Sequence, residues 1–331
     1  MLNDALKKVM AGGVLTETES AAMVEALANG ENPTAAAGLL TALSLRGESV
    51  SEMTGAAGFL RNRMTGVDAG DCSDIVGTGG DGGRSFNIST TASFVAAGAG
   101  VRMAKHGNRA VSGKCGAADV LEELGVKLND TPESLAQSIK DNGIAFLFAR
   151  NLHPVMAKVA LLRRDLGIRT VFNLVGPLAN PAHATHMVVG VYHERLIMPF
   201  AEVLRNLGVR NGFVVHSEDG LDEISSMAVT HAAVVSPDGI HEIIIDPEEM
   251  LHDSALCEGS LAGGDKVENS RILLDVLSGH DRTAKRGAVL LNAAAICAAA
   301  GLGDSIRDCI PLAAQSIDSG AALDKLRRIS A

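Results

Sequence analysis

The spacing of apolar residues along the chain changes character near residue 70. Before it, over residues 1–66, the pattern predicts four short helices punctuated by Gly12-Gly13, Gly30 and Gly47. Their starts carry chemical marks. Thr16-x-x-Glu19 and Ser49-x-x-Glu52 are capping boxes, and Asn32-Pro33 pairs an N-cap with proline at the first helical position. Leu39, Leu40, Leu43 and Leu45 offer more apolar surface than one small bundle needs, so this lobe is expected to pack against a partner subunit as well. The boundary falls in Thr65-Gly-Val-Asp-Ala-Gly70.

From Asp74 onward strands and helices alternate. Strands are expected at Asp74–Val76, Val101–Ala104, Ile144–Phe148, His186–Tyr192, Gly212–His216, Ala232–Val235 and Ile240–Ile245. Helices are expected at Pro132–Asn142, Pro154–Leu166, Arg195–Leu207, Asp265–Leu277 and Thr283–Ala300. The earlier strands imply a mostly parallel sheet covered by helices, and Ser236-Pro-Asp-Gly239 joins the last two as an antiparallel hairpin. The expected fold is α/β: a small N-terminal α-helical domain (1–66) and a larger α/β domain (70–331) with a mostly parallel central sheet.

One stretch organises the candidate chemistry. The β-branched pair Ile75-Val76 breaks into five glycines within seven residues, Gly77 to Gly83, and a helical segment follows from Thr90. Glycines let several N–H groups approach one anion, and the hydroxyls of Ser89 and Thr90 stand at the positive end of the helix. That combination reads as a phosphate cradle, beside the plainer reading of a tight turn that binds nothing. The letters Gly77-x-Gly79-x-x-Gly82 also satisfy the dinucleotide fingerprint. Yet Arg84-Ser-Phe-Asn87 separates them from any helix, and Lys105-His106 stands where that fold needs an acidic residue. No Gly-Lys-Ser/Thr closes the loop as a nucleotide P-loop requires.

A second run, Lys105 to Asp119, is basic and rich in amide and hydroxyl donors. It follows the second strand, so both loops leave the same carboxyl edge of a parallel sheet, where ligands bind. Farther on, Asp222-Glu223 sits in a polar turn after a strand. Adjacent carboxylates there are either solvated or a pair that reaches Mg2+.

Composition narrows the partners. The net charge of −10 argues against nucleic acid and against anionic membrane surfaces, which makes the basic run a local exception. Five scattered cysteines without metal spacing read as reduced thiols of a cytoplasmic protein. No cleavable leader is expected at the start, and the longest apolar run, Ala293–Ala300, is too short to span a bilayer.

Gly77-Thr-Gly-Gly-Asp81, Asn87-Ile-Ser-Thr90 and Lys105-His-Gly-Asn-Arg109 resemble the signature motifs of the anthranilate phosphoribosyltransferases of tryptophan biosynthesis. The likeness continues through Arg163-x-x-Leu166-Gly167-x-Arg169-Thr170-x-Phe172-Asn173-x-x-Gly176-Pro177-Leu178-x-Asn180-Pro181 and Asp222-Glu223, covering the chain in order. The resemblance implies transfer of the phosphoribosyl group of phosphoribosyl pyrophosphate (PRPP) to the amine of anthranilate. It implies a PRPP cradle of Gly77, Gly80, Asp81, Ser85, Asn87, Ile88, Ser89 and Thr90, with Lys105 meeting the pyrophosphate. His106, Gly107 and Ala117 complete that site, and Asn108, Arg109, Ala110, Val111, Ser112 and Gly113 wrap the phosphoribosyl group.

For anthranilate it implies Arg163 at the carboxylate, Gly77 and Asn108 at the inner position, and His106, His153 and Pro177 in the outer channel. Asp222, Glu223 and Ser89 are implied ligands of two Mg2+ ions per subunit. The resemblance also implies that residues of about 150–180 return to the helical lobe, and that this lobe forms a homodimer. Two positions depart from the family pattern: Cys115 and Ala117 stand where serines are frequent, leaving backbone N–H groups to serve the phosphate. No strong base is required, because an aromatic amine is neutral at pH 7; His106 is the nearest candidate to take its proton. Three rivals stay open at this point: a pyrimidine nucleoside phosphorylase-like enzyme, an NADP-dependent oxidoreductase, and a non-catalytic paralogue that binds nucleic acid.

Overall fold

The computed structural model describes residues 1–80, 84–110, 115–251 and 253–330. Helices α1 (Leu2–Met10), α2 (Glu17–Ala28), α3 (Pro33–Arg46) and α4 (Val50–Arg63) form the amino-terminal lobe. Both capping boxes close: Thr16 and Ser49 accept the N–H of Glu19 and Glu52, whose carboxylates bond back to the cap N–H. Glu52 also accepts the Leu15 N–H at 2.9 Å and pairs with Arg46, so a buried carboxylate ties α4 to the turn before α2. Gly55 lies against the backbone of Glu17, and any side chain there would hold α2 and α4 apart.

Leu39, Leu40 and Leu43 are fully buried inside this lobe, whereas Leu45 is 83% exposed. Three of the four leucines read as part of a surplus of apolar surface therefore fill the lobe's own core.

The rest of the chain runs β1 (Ser73–Gly77), α5 (Ile88–Gly98), β2 (Met103–Gly107), α6 (Ala117–Glu123), α7 (Pro132–Asn142), β3 (Ile144–Phe148), α8 (Ala149–Leu152), α9 (Pro154–Leu166) and α10 (Val171–Val175). It continues through β4 (His186–Gly190), α11 (Ile197–Asn206), β5 (Asn211–Ser217), β6 (Thr230–Ser236), β7 (Gly239–Ile245) and α12 (Pro247–Met250). Four helices close it: α13 (Lys266–Leu277), α14 (Ala284–Ala299), α15 (Ile306–Asp318) and α16 (Ala321–Ile329). The expected helix at Arg195–Leu207 is a 3-10 turn, Glu194–Leu196, running into α11. Helices α8, α10, α12, α15 and α16 have no counterpart in the sequence pattern.

Seven strands form one sheet in the order β3-β2-β1-β4-β5-β6-β7. The first five are parallel, and β6 and β7 pair antiparallel. Alternate residues feed two cores. Ile75, Met103, Phe146, Val188 and Phe213 pack with α5, α6 and α13–α16, while Val76, Ala104, Leu147, Val189 and Val214 share a core with α9–α11 and the lobe. After β3 the chain packs α9 and α10 on α2, α3 and α4 before returning as β4.

Strand order reverses between β1 and β4, and in such sheets ligands bind beyond the strand ends at that reversal. Gly77 and Gly190 end these two strands as register partners.

Candidate active site

A cavity of about 690 Å³ opens at the β1–β4 ends, roofed by α9 of the lobe side. The turn after β5 delivers Asp222 into it. Asp222 Oδ2 accepts the Gly79 N–H at 2.6 Å, and a Cβ on Gly77 would overlap the same carboxylate. Gly79 (φ 66°) and Gly80 (φ 107°) then take left-handed conformations that side chains disfavour, which explains the glycines after the strand.

Helix α5 starts beside this loop. Ser89 donates its N–H to Glu223 Oε1 at 3.1 Å, so the second carboxylate sits on the first turn of the helix. Burial, and then the charge of Asp222, push the Glu223 carboxyl up to about 8; Lys105 and Ser89 pull the other way. Ile88 is buried and Thr90 is 1% exposed, and Thr90 lines the cavity. Asn87 is held by its neighbours: its amide accepts from Asn269 Nδ2 at 3.0 Å and donates to the Cys115 carbonyl at 3.5 Å. Asn269 also accepts the Gly264 N–H at 2.7 Å, which makes it the joint of three loops. Ser85 lines the cavity and bridges to Ala262.

Strand β2 runs to Gly107, beyond the expected end at Ala104, because Lys105, His106 and Gly107 pair with Phe146, Leu147 and Phe148. Lys105 is consequently an interior strand residue, 3% exposed, whose ammonium donates to the carbonyls of Ile75 (2.7 Å) and His106 (2.8 Å). Asp74, fully buried, accepts from the His106 N–H and from Asn180 Nδ2 at 2.7 Å. Burial raises the Asp74 carboxyl and lowers the Lys105 ammonium from their usual ranges, and each opposes the other's shift. Lys105 thus lines the cavity near Glu223 from within a strand, and not from a loop.

The basic run is latched by α6. Arg109 lines the cavity while its guanidinium pairs with Asp119 (3.0 Å) and Glu122 (2.8 Å) of α6. Asp119 Oδ2 also accepts the N–H of Ala110 and of Gly116, joining the two ends of the loop. Gly107, Asn108, Ala110 and Ala117 line the cavity. Asp81, Val111, Ser112 and Gly113 lie outside the described residues.

On the α9 side, Arg163 is half-buried with its guanidinium 5.8 Å from the Phe172 ring. It makes no ion pair among the described residues, and burial lowers its pKa. His106 and His153 meet Nε2 to Nε2 at 3.2 Å on the cavity floor, and Pro177 lines the same wall. Burial depresses both histidines, His153 to about 4 and His106 well below its usual value, so both rings are neutral. A ring that resists protonation is a weak proton acceptor, and this geometry lends no support to that role for His106.

Sequence reasoning missed Asp74, Asn180, Asp119, Asn269 and Arg169 as site-forming residues. Arg169 and Asn180 stood in the motif of residues 163–181 with no role assigned, and Asp119 carried a local signal, standing three residues after Gly116 at a helix start.

The comparisons fall on the same architecture. Residues 3–64 match the helical bundle domain of the glycosyl transferase family, and residues 69–323 match its a/b domain. The anthranilate phosphoribosyltransferase of Anaeromyxobacter sp. (strain K) is 47% identical over 100% of this chain and 98% of its own. That of Geobacter sulfurreducens is 46% identical over 99% and 98%. Among solved structures, the Thermus thermophilus anthranilate phosphoribosyltransferase superposes with a TM-score of 0.89 at 42% identity, covering 99% of this chain and 98% of that one. The Saccharomyces cerevisiae enzyme in complex with PRPP and Mg gives 0.87 at 29% identity, covering 99% and 96%. The yeast enzyme has also been solved with 4-fluoroanthranilate. With both domain models matched and near-complete coverage of its relatives, the chain belongs to the anthranilate phosphoribosyltransferase family of glycosyl transferases.

Proposed function

We propose that the cavity transfers the phosphoribosyl group of PRPP to the amine of anthranilate, releasing pyrophosphate and giving N-(5-phosphoribosyl)anthranilate for tryptophan biosynthesis. One observation carries this reading. A guanidinium without an acidic partner among the described residues, Arg163, lines the same cavity as a glycine loop and two adjacent carboxylates. The first suits the carboxylate of a flat aromatic acid, and the second suits a sugar bearing several phosphates.

Residues Asp222 and Glu223 fit Mg2+. Burial, and then the Asp222 charge, disfavour the ionised Glu223 carboxyl, and a dication between the two carboxylates would offset both. No group of three or more His, Cys, Asp or Glu side chains converges among the described residues, consistent with an ion that keeps waters and takes one or two carboxylates. Asp222 and Glu223, with the Ser89 hydroxyl, would hold two such ions, as in the resembled family. When bound, Mg2+ supplies charge neutralisation for the departing pyrophosphate.

The protein's own groups do the rest. Backbone N–H groups of the glycine loop and of α5 meet phosphate oxygens, and Arg163 orients the acceptor so that its amine faces ribose C1. The neutral amine attacks with inversion and loses its proton afterwards.

Leu45 on α3 and Leu161 on α9 are 83% and 58% exposed, and they support a homodimer through the lobe; light scattering of L45E against wild type tests it. All five cysteines are free, in keeping with a cytoplasmic location, and no helix among the described residues is long and apolar enough to cross a membrane.

The deciding experiment is the loss of anthranilate fluorescence when protein, PRPP and Mg2+ are combined. Each omission should abolish the change. Fluorescence that persists with all components present removes the reading.

A further inference from the structure

Arg169 belongs to neither substrate's expected binding set, yet it lies where the two halves of the site join. It follows α9 by three residues, after the left-handed Gly167 (φ 63°) that ends the helix carrying Arg163. Its Nη2 donates to two successive carbonyls of the glycine loop, Thr78 O at 3.2 Å and Gly79 O at 2.9 Å. The guanidinium carbon lies over the Tyr192 ring, 4.0 Å from its centroid. The Tyr192 N–H, in turn, donates to Thr78 Oγ1 at 3.1 Å, so one residue backs the arginine and pins the loop it holds. Gly80 is glycine partly because Nη1 of Arg169 occupies the space a Cβ would need.

This arrangement fixes peptide planes. The 78–79 peptide is held at its carbonyl by Arg169 and at its N–H by Asp222 Oδ2. The 79–80 peptide is held at its carbonyl by Arg169, and a planar trans peptide then turns the Gly80 N–H away from the guanidinium. A cation on a carbonyl also polarises the peptide and strengthens the N–H at its other end as a donor. Arg169 makes no ion pair among the described residues, so its charge is directed at the loop.

We propose that Arg169 is a positioning residue for phosphoribosyl transfer: it ties the acceptor-orienting helix to the phosphate loop and so sets the distance between amine and ribose C1. This rests on the transferase reading above. The role is distinct from holding either substrate, because Arg169 acts through the Thr78 and Gly79 carbonyls.

Three measurements on R169Q and R169K, with R164Q as control (Arg164 is 77% exposed), test it. In R169Q, kcat should fall roughly 30-fold, within the 10²-fold scale of a misplacement near 1 Å, while the KM for anthranilate stays within about threefold. R169K, which keeps the charge but loses the planar stack and the two-carbonyl reach, should fall between R169Q and wild type. Hydrogen exchange over residues 77–90 should be faster in R169Q and unchanged in R164Q, a readout that needs no turnover. The proposal is overturned by R169Q exchanging and turning over as wild type. It is equally overturned if the kcat loss vanishes once assays are run well below a lowered melting point. An inactive wild type would instead sink the transferase reading, and the exchange result would still decide this one.

Discussion

The carbonyl oxygen of Asp222 packs so closely on Gly190 that a Cβ at Gly190 would overlap it. Gly190 ends β4 and Gly77 ends β1, so two missing side chains make the seat in which the Asp222 turn rests. Gly190→Ala should push that turn outward and cost about 1–3 kcal/mol as an overpacked site. We expect kcat to fall about 10²-fold in protein that still folds. Denaturant unfolding beside initial rates at saturating substrates checks it, and an unchanged kcat would separate the seat from turnover.

Mg2+ binding should depend on pH through Glu223. With its carboxyl pushed up to about 8, the site must release a proton to bind metal at lower pH. Affinity should therefore climb by up to ~10-fold per pH unit until about pH 8 and then level off. Asp222→Asn removes the neighbouring charge, so the plateau should begin at lower pH while kcat drops about 10²-fold. Calorimetric titration at pH 6.5, 7.5 and 8.5 reads both. A flat profile in the wild type would contradict the assignment.

Arg163 offers a half-buried guanidinium with no carboxylate partner among the described residues. Arg163→Ala should raise the KM for anthranilate, losing ~2–5 kcal/mol for a desolvated ion pair, with the KM for PRPP nearly constant. Lysine should not restore it fully, because one ammonium cannot reproduce the bidentate fork. Steady-state kinetics with each substrate varied in turn gives the answer; parallel changes in both KM values would place Arg163 elsewhere.

Acid should loosen the floor of the cavity. Burial lowers His153 to about 4, below its unfolded value of 6.5, so between those values the unfolded chain binds more protons. Its contribution is complete above about pH 6.5 and is lost as pH falls toward 4, about 2 kcal/mol of it between pH 8 and pH 5. His106, lowered in the same direction, adds to it. Raised carboxyls such as Glu223 contribute with the opposite sign, so the informative quantity is wild type minus H153Q. Parallel stability curves for the two proteins across pH 5–8 would refute this origin.

Much of the architecture was legible locally. The bounds of α7, α9 and β3 agree with the sequence pattern because proline starts, a glycine stop and an apolar run mark them. Lys105 and His106 misled it: two polar residues read as a loop, yet the Ile75 carbonyl takes the Lys105 ammonium and distant Asp74, itself held by Asn180, takes the His106 N–H, so both enter a strand. Helix α15 carries Ser305 capping Asp308 and apolar residues at Ile306, Cys309, Ala313 and Ile317, but Pro311 inside it broke the pattern. Asn269 reaches Asn87 across 182 positions of chain, and no local rule joins such residues.

Helix α5, whose first turn faces the carboxylates, is backed by the final stretch of the chain. Ser316 of α15 donates to the Val95 carbonyl at 2.7 Å, and Gly98 is small because Ser316 and Ala322 stand against it. Synthesis proceeds from the amino end, and Ser316 lies 221 positions after Val95, so α5 is made long before the helix that backs it. Until α15 and α16 emerge, the nascent chain carries its substrate loops on an unsupported helix.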